Sequence, residues 1–286
     1  MDLDIDHLRQ WIGREEVVTD TLTAGQAAGL HGLLDRPGEP PRQGEPAGDA
    51  GHWCVCPDRT PQAGLGEDGH PERGGFLPPV PLPRRLWASG AVSIATPLLV
   101  GETVTRRSRI ADVQLKEGSS GPLVIVEVDH SYIAAEQPRI GERQVLVYKD
   151  AGETARPARP APAIAVESTT VTPDPVLLFR YSALTHNAHR IHYDRPWAVE
   201  REGQPGLLVH APLLASLLLD RLRARIGGRA VKALAFRAHR PLHDGAPIGL
   251  HLGEIAEEGG RPLHAWATDP EGRVAFTLQA VPGPAR

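Results

Sequence analysis

Nine consecutive residues, Ala211 to Leu219 (APLLASLLL), constrain the fold more than any other stretch of this chain. Continued to about residue 226 they make a helix, with Pro212 suited to its first turn and Gly227-Gly228 suited to its end. Its first half is apolar on every side, and a helix apolar all round must be enclosed by protein. Arg221, Arg223 and Arg225 fall in the last turns, where cations complement the helix dipole. Strands are expected after it at 231–240, 248–255, 263–268 and 274–281, the last two joined by the turn Asp269-Pro270-Glu271-Gly272. A sheet wrapped around the helix meets the need for enclosure. Periodicity alone supports an α+β class with buried helices.

Proline and glycine gather at 36–49, 57–85 and 151–174. The stretch 151–164, AGETARPARPAPAI, has no periodicity and alternating prolines, which predicts an extended linker. It would divide the chain into an N-terminal part, 1–150, and a C-terminal part, 165–286. Both read as a helix followed by strands. In the first, a short helix at 24–34 follows a Thr23 cap. Strands are expected at 91–96, 108–116, 123–132 and 143–148, with a hairpin turn at Gly118-Ser119-Ser120-Gly121. The second part opens with a strand at 166–171.

A chain of 286 residues, 41% hydrophobic, buries a sizeable core. Its net charge of −4 and lack of a long basic run argue against nucleic acid as a partner. Arginines do cluster at 84–85, 106–109 and 221–225, as solvated faces, helix ends or contacts to an anion such as a CoA phosphate. Cys54 and Cys56 are one residue apart, a spacing that strains a disulfide, and no second pair completes a zinc site. They read as free thiols of a reducing compartment. The start, MDLDIDHLRQW, is acidic where a secretory signal needs positive charge. The apolar stretch 206–219 is interrupted by His210 and too short to span a bilayer. A soluble, cytoplasmic protein with no membrane partner is expected.

The chemistry concentrates at 179–194, FRYSALTHNAHRIHYD, ahead of the long apolar helix. Three readings compete for it. It is a hydrated loop whose histidines happen to be neighbours; or His186, His189 and His192 with Asp194 bind a metal; or one imidazole near its working pKa performs acid–base chemistry beside an amide. Elsewhere, His70 reads as a loop histidine, and the glycines at 66–75 lack the Lys-Ser/Thr of a phosphate loop. Trp53, Trp87 and Trp197 read as core or pocket wall.

The run 179–194 resembles the active-site segment of the MaoC-like hydratase/dehydratase family of double hot-dog enzymes. The general pattern is Asp, any residue, Asn, Pro, an aliphatic residue and His; here Asn187, Ala188, His189, Arg190, Ile191 and His192 stand in those places. The departures resemble the branch of mesaconyl-C4-CoA (itaconyl-CoA) hydratases and mitochondrial hydroxyacyl-thioester dehydratase type 2, which commonly reads RYSALT-x-N-x-HRIHYD. The likeness continues at 206–214 (GLLVHAPLL), 236–242 (FRAHRPL), 68–71 (DGHP) and 75–85 (GFLPPVPLPRR).

The resemblance implies an α+β double hot-dog, two repeats each with an antiparallel sheet around a central helix. It implies hydration or dehydration at the α,β-double bond of a CoA or acyl-carrier-protein thioester. His192 would be the catalytic base, Asn187 would stand where most relatives have aspartate, and the Ala211 N–H would meet the oxyanion. Tyr181, His189, Arg190, Gly206 and His210 are expected to face substrate. Arg190 is open between a substrate carboxylate and a pair with Asp194, and His210 also reads as a packing or capping residue. The first repeat would have lost its own site and shape the acyl pocket. No metal, nicotinamide or flavin is needed, since the thioester itself acidifies Cα. A C5 dicarboxylyl-CoA is the expected substrate class. A 3-hydroxyacyl thioester, a silent thioester-binding module and a thioesterase are the alternatives. Exposed sheet edges lead to the expectation of a homodimer.

Overall fold

The computed structural model describes residues 3–118, 121–151, 159–254 and 262–283. The centre of the expected linker (152–158) and two residues of the expected hairpin turn, Ser119 and Ser120, lie outside them. A short helix α1 (Ile5–Arg9) and an edge strand β1 (Glu15–Thr21) precede helix α2 (Ala24–Leu33). Four long strands follow: β2 (Arg84–Ile94), β3 (Thr103–Gly118), β4 (Gly121–Ala134) and β5 (Gln137–Lys149). Then come β6 (Ala165–Val171), helices α3 (Pro175–Thr185) and α4 (Ala211–Arg225), and strands β7 (Val231–Ala238), β8 (Ile248–Gly253), β9 (Leu263–Thr268) and β10 (Val274–Pro282).

All ten strands join one antiparallel sheet in the order β1-β3-β4-β5-β2-β7-β10-β9-β8-β6. Strands from before residue 150 therefore occupy one side and those from after it the other. They meet at β2 and β7, where Gly90 pairs with Phe236 and Val92 with Leu234. The enclosed helix expected from its composition is present: α4 packs on β7, β8, β9 and β10. Leu213, Ala215 and Leu218 are wholly shielded from solvent. Each such leucine contributes on the order of 1.5–3 kcal/mol over an exposed one, before the entropy of ordering it.

Helix α2 begins as expected at Thr23, whose hydroxyl accepts from the Gln26 N–H while the Gln26 side chain caps Thr23 in return. That reciprocal cap carries a helix holding three glycines. Ala27 and Leu33 of α2 share one apolar cluster with Val92, Val104 and Tyr132 of the first half-sheet. The proline-rich stretch ahead of β2 is not a bare loop. Val80 and Leu82 are buried against Ile110, Val124, Val128 and Tyr148, with Phe76 and Leu77 packed beside them. This lays the 64–83 segment across the first half-sheet and delivers its turn at 67–70 to the second half.

One expectation needs correction. Strand β2 starts at Arg84 rather than at residue 91, because backbone pairing with β5 (Arg84 with Lys149, Leu86 with Val147) continues through charged residues that break apolar alternation. The lead-in to the histidine run is helix α3. Asp174 caps it by accepting from the Leu177 N–H, and Pro175 occupies its first position.

Candidate active site

Helix α3 stops at His186, which adopts a left-handed conformation (φ 53°), and the Asn187 N–H closes back on the Ser182 carbonyl at 2.8 Å. The chain then turns sharply. Asn187 Oδ1 accepts from the His189 N–H at 3.1 Å, which leaves the amide Nδ2 as the group free to donate outward. A single tight turn, Arg190–His192, brings the next imidazole underneath.

His192 is buried, and its Nδ1 lies 2.7 Å from the Leu208 carbonyl. A carbonyl only accepts, so Nδ1 carries the proton and Nε2 keeps its lone pair. Burial, opposed by the Leu208 carbonyl, lowers its pKa to about 4. His192 is thus a neutral base of fixed tautomer. Its ring stacks on His210 at 3.7 Å, and His210 in turn packs on Tyr181 at 4.9 Å. His210 is fully buried, with Nε2 2.9 Å from Ser182 Oγ, and desolvation with neighbouring His192 holds its pKa well below the usual value. It is also the residue before α4, where it makes no side-chain cap.

His189 is buried on the other side, its ring 5.5 Å from that of His192 and 4.0 Å from that of His70. His70, read from sequence as a loop histidine, therefore belongs to the site. Asp68 fixes it, accepting from the His70 N–H at 2.9 Å and from Nδ1 at 3.0 Å. Burial, reinforced by the Arg85 charge, lowers the His70 pKa to about 4. Gly69 sits between them at φ +86°, its α-carbon pressed on the Ala188 carbonyl, and the Arg190 N–H donates to the Asp68 carbonyl at 2.9 Å. The turn at 67–70 is docked directly on the histidine run.

One cavity of about 2060 Å³ is lined by Asn187, His189, His192, Ala211 and Tyr181 from the second half and by Trp53, Trp87 and Glu142 from the first. Ala211 opens α4, and with Pro212 next to it lacking an N–H, the Ala211 N–H is a helix-start donor at the cavity wall. Glu142 is buried on the first half-sheet, receiving the Trp53 Nε1–H at 3.0 Å and the Tyr132 hydroxyl at 3.2 Å. Burial raises its carboxyl pKa to about 7.

Arg190 and Gly206 are not among the residues lining this cavity. Arg190 is bound to Asp194 through Nε (2.9 Å) and Nη2 (2.7 Å), donates to the Glu67 carbonyl and stacks 4.1 Å over Trp197. Of its two expected roles, the structural pair is the one the geometry carries. Gly206 gives room to Asp244, whose Oδ1 would lie 2.7 Å from an added Cβ and accepts from the Leu207 N–H at 2.8 Å. His186, His192 and Asp194 do not converge as the metal reading required. Instead Asp68, His70 and His189 bring ligand atoms within 4.8 Å of one another. The charge of Arg85 bears on all three. The Asp-Gly-His-Pro turn and the Arg84-Arg85 pair were the visible sequence signals for this wall; nothing in their spacing tied them to the histidines.

The family model for hydroxyacyl-thioester dehydratase type 2 matches residues 48–244. A mesaconyl-C4-CoA hydratase of Chloroflexus aurantiacus is 40% identical over 93% of this chain and 95% of its own length. The mitochondrial hydroxyacyl-thioester dehydratase type 2 of Schizosaccharomyces pombe is 27% identical over 76% of this chain and 80% of its own length. Among solved structures, a Mycobacterium tuberculosis protein with a double hot-dog fold superposes with a TM-score of 0.62 at 14% identity, covering 95% of this chain and 96% of that one. The architecture is accordingly the expected double hot-dog. No helix among the described residues is long and apolar enough to cross a membrane. By the family model and by its likeness to the Chloroflexus hydratase, this chain belongs to the hydroxyacyl-thioester dehydratase type 2 family of hydratases and dehydratases.

Proposed function

We propose that the protein adds water to, or removes it from, the α,β-double bond of an acyl-CoA thioester, and that a mesaconyl-C4-type C5 dicarboxylyl ester is its substrate. The observation that carries this reading is His192: a neutral base of fixed tautomer, beside the Asn187 amide, in a cavity that also presents the N-terminus of α4. In the hydration direction His192 Nε2 takes one proton from water as the water oxygen bonds to Cβ. Asn187 Nδ2 donates to that oxygen and aims its lone pair. The π electrons move onto the thioester oxygen, where the Ala211 N–H and the helix dipole meet the developing charge. The imidazolium then returns its proton to Cα, so that His192 ends neutral and one water has been added.

The first repeat, up to the linker at 151–164, shapes the acyl pocket, and the catalytic pair lies in the second. Two buried free thiols, Cys54 and Cys56, support a cytoplasmic setting. The outer strands β1 and β6, with Val17 and Val166 exposed, are the edges through which a homodimer would form. Likeness to the fission-yeast dehydratase supports a 3-hydroxyacyl thioester as the second reading.

The test is to incubate the purified protein with mesaconyl-C4-CoA and with crotonyl-CoA and to follow products by mass spectrometry. Gain of one water on the mesaconyl ester is expected. Gain on crotonyl-CoA alone moves the substrate to the 3-hydroxyacyl class. Release of free CoA identifies a thioesterase, and binding with neither product identifies a silent module.

A further inference from the structure

We propose that Arg85 reads the free carboxylate of a dicarboxylyl thioester and so sets the substrate class of this site. The inference rests on the hydratase reading above and says which residue makes it specific. In a mesaconyl-C4 ester the free carboxylate is attached to Cβ, the carbon that takes the hydroxyl. It must therefore enter the pocket together with the double bond and come to lie beside His192 and Asn187. A carboxylate taken from water into such a place is costly unless a cation or several donors receive it.

Arg85 meets this requirement. It is the second residue of β2, held in register opposite Tyr148, so it projects from a strand rather than from a loop. It is half-buried and lines the cavity that holds Asn187 and His192. Its charge is felt by Asp68, His70 and His189, which places it against the wall formed by the docked turn. Asp68, the nearby acid, spends both its oxygens on His70. Among the described residues Arg85 makes no hydrogen bond or ion pair, so its five donors remain unspent.

Four other arginines are committed elsewhere. Arg73 donates to the carbonyls of Val80, Leu82 and Pro83. Arg84, which also lines the cavity, pairs with Glu202; Arg106 pairs with Glu16; and Arg190 pairs with Asp194. Arg237 also lines the cavity but is exposed on β7, whereas Arg85 is half-buried and its charge bears on His70 and His189, neutral rings that add donors or lone pairs but no charge; Arg85 is thus the cation best placed for a carboxylate on Cβ.

Succinyl-CoA and butyryl-CoA separate this role from every other. Both are saturated and take up no water; they differ in carrying a carboxylate or a methyl group on Cβ. Wild-type protein should bind succinyl-CoA the more tightly by calorimetry. Arg85→Gln should weaken succinyl-CoA roughly 10- to 150-fold, the range for a charge-assisted hydrogen bond, and change butyryl-CoA within about threefold. Arg85→Lys should restore part of the loss, since it keeps the charge without the planar fork. Retained butyryl-CoA binding shows that each variant is folded. If wild-type protein hydrates mesaconyl-C4-CoA while Arg85→Gln loses both esters equally or neither, the role of Arg85 is overturned and the hydratase reading stands. If wild-type protein binds the two esters alike and leaves mesaconyl-C4-CoA unhydrated, the dicarboxylate reading falls, and this inference with it.

Discussion

Replacing Gly69 with alanine asks whether the turn at 67–70 positions the catalytic run or merely covers it. Gly69 has φ +86°, where an L side chain costs about 1–2 kcal/mol in backbone strain. The added Cβ would overlap the Ala188 carbonyl oxygen outright and lie 2.9 Å from the carbonyl carbon. Restoring the ~3.5–4.0 Å at which carbon atoms attract opens the joint by roughly 1 Å. Ala188 is the neighbour of Asn187, and the displacement has nowhere to go but into the turn that carries Asn187, His189 and His192. A misplacement of about 1 Å in a reacting array costs on the order of 100-fold in rate. Gly69→Ala should therefore lower kcat by roughly 100-fold while lowering Tm by only about 2–8 °C. Steady-state hydration kinetics and differential scanning calorimetry on the same preparation give both numbers. A variant with unchanged kcat and a lowered Tm would refute the reasoning, because the turn would then be packing and not part of the site.

His192→Ala and Asn187→Ala should each lower turnover roughly 100-fold or more with circular dichroism unchanged; near-normal turnover in His192→Ala would remove the proposed base. Arg190→Gln should depress turnover of dicarboxylyl and monocarboxylyl esters alike, since Arg190 staples Glu67 to Asp194 rather than facing substrate; a selective loss on the dicarboxylyl ester would restore its binding role. Stability should fall as pH drops from 6.5 to 4. His70, His130 and His192 have folded-state pKa values lowered to about 4 and His52 to about 3, so the unfolded chain binds the extra protons in that window. Glu142, raised to about 7, acts oppositely and erodes stability as pH rises from 4.5 through 7. His189, His210 and His251 are lowered likewise and Asp49 and Glu202 are raised like Glu142, so seven histidines oppose three carboxyls, and a Tm higher at pH 5 than at pH 6.5 would contradict the burial of these rings. Glu142→Gln should flatten the decline above pH 6.

What the sequence made legible were features whose signal is local. The apolar helix at 211–226 announced its own enclosure, the Thr23 cap marked the start of α2, and the alternation of β4 marked a strand with one more exposed and one buried face. Strand β2 was half hidden because Arg84 and Arg85 interrupt an apolar pattern without interrupting the backbone ladder. Helix α3 carried a readable cap and proline, but the motif laid over RYSALT drew attention to identity and away from helical form. Edge strand β1, EEVVTDT, buries too little to show.

The site divides along the same line. His192, Asn187 and Ala211 lie within one stretch, so their concentration could be seen. Which histidine nitrogen holds the proton could not, because it depends on the Leu208 carbonyl sixteen residues away along the chain. Arg190 and Arg85 show the limit most sharply. Placed among the histidines, Arg190 was open between a substrate carboxylate and Asp194, and only the fold shows that the acid four residues on holds it. Arg85 stands far from the run in sequence and looked like one of several basic pairs. Folding brings it to the cavity wall because β2 is laid beside β7 and because the proline-rich segment drops Asp68 and His70 against His189. The charge proposed to select a substrate thus comes from the half opposite the one that carries His192 and Asn187. A chain reduced to its second repeat would keep His192 and Asn187 and lose the means of telling one acyl group from another.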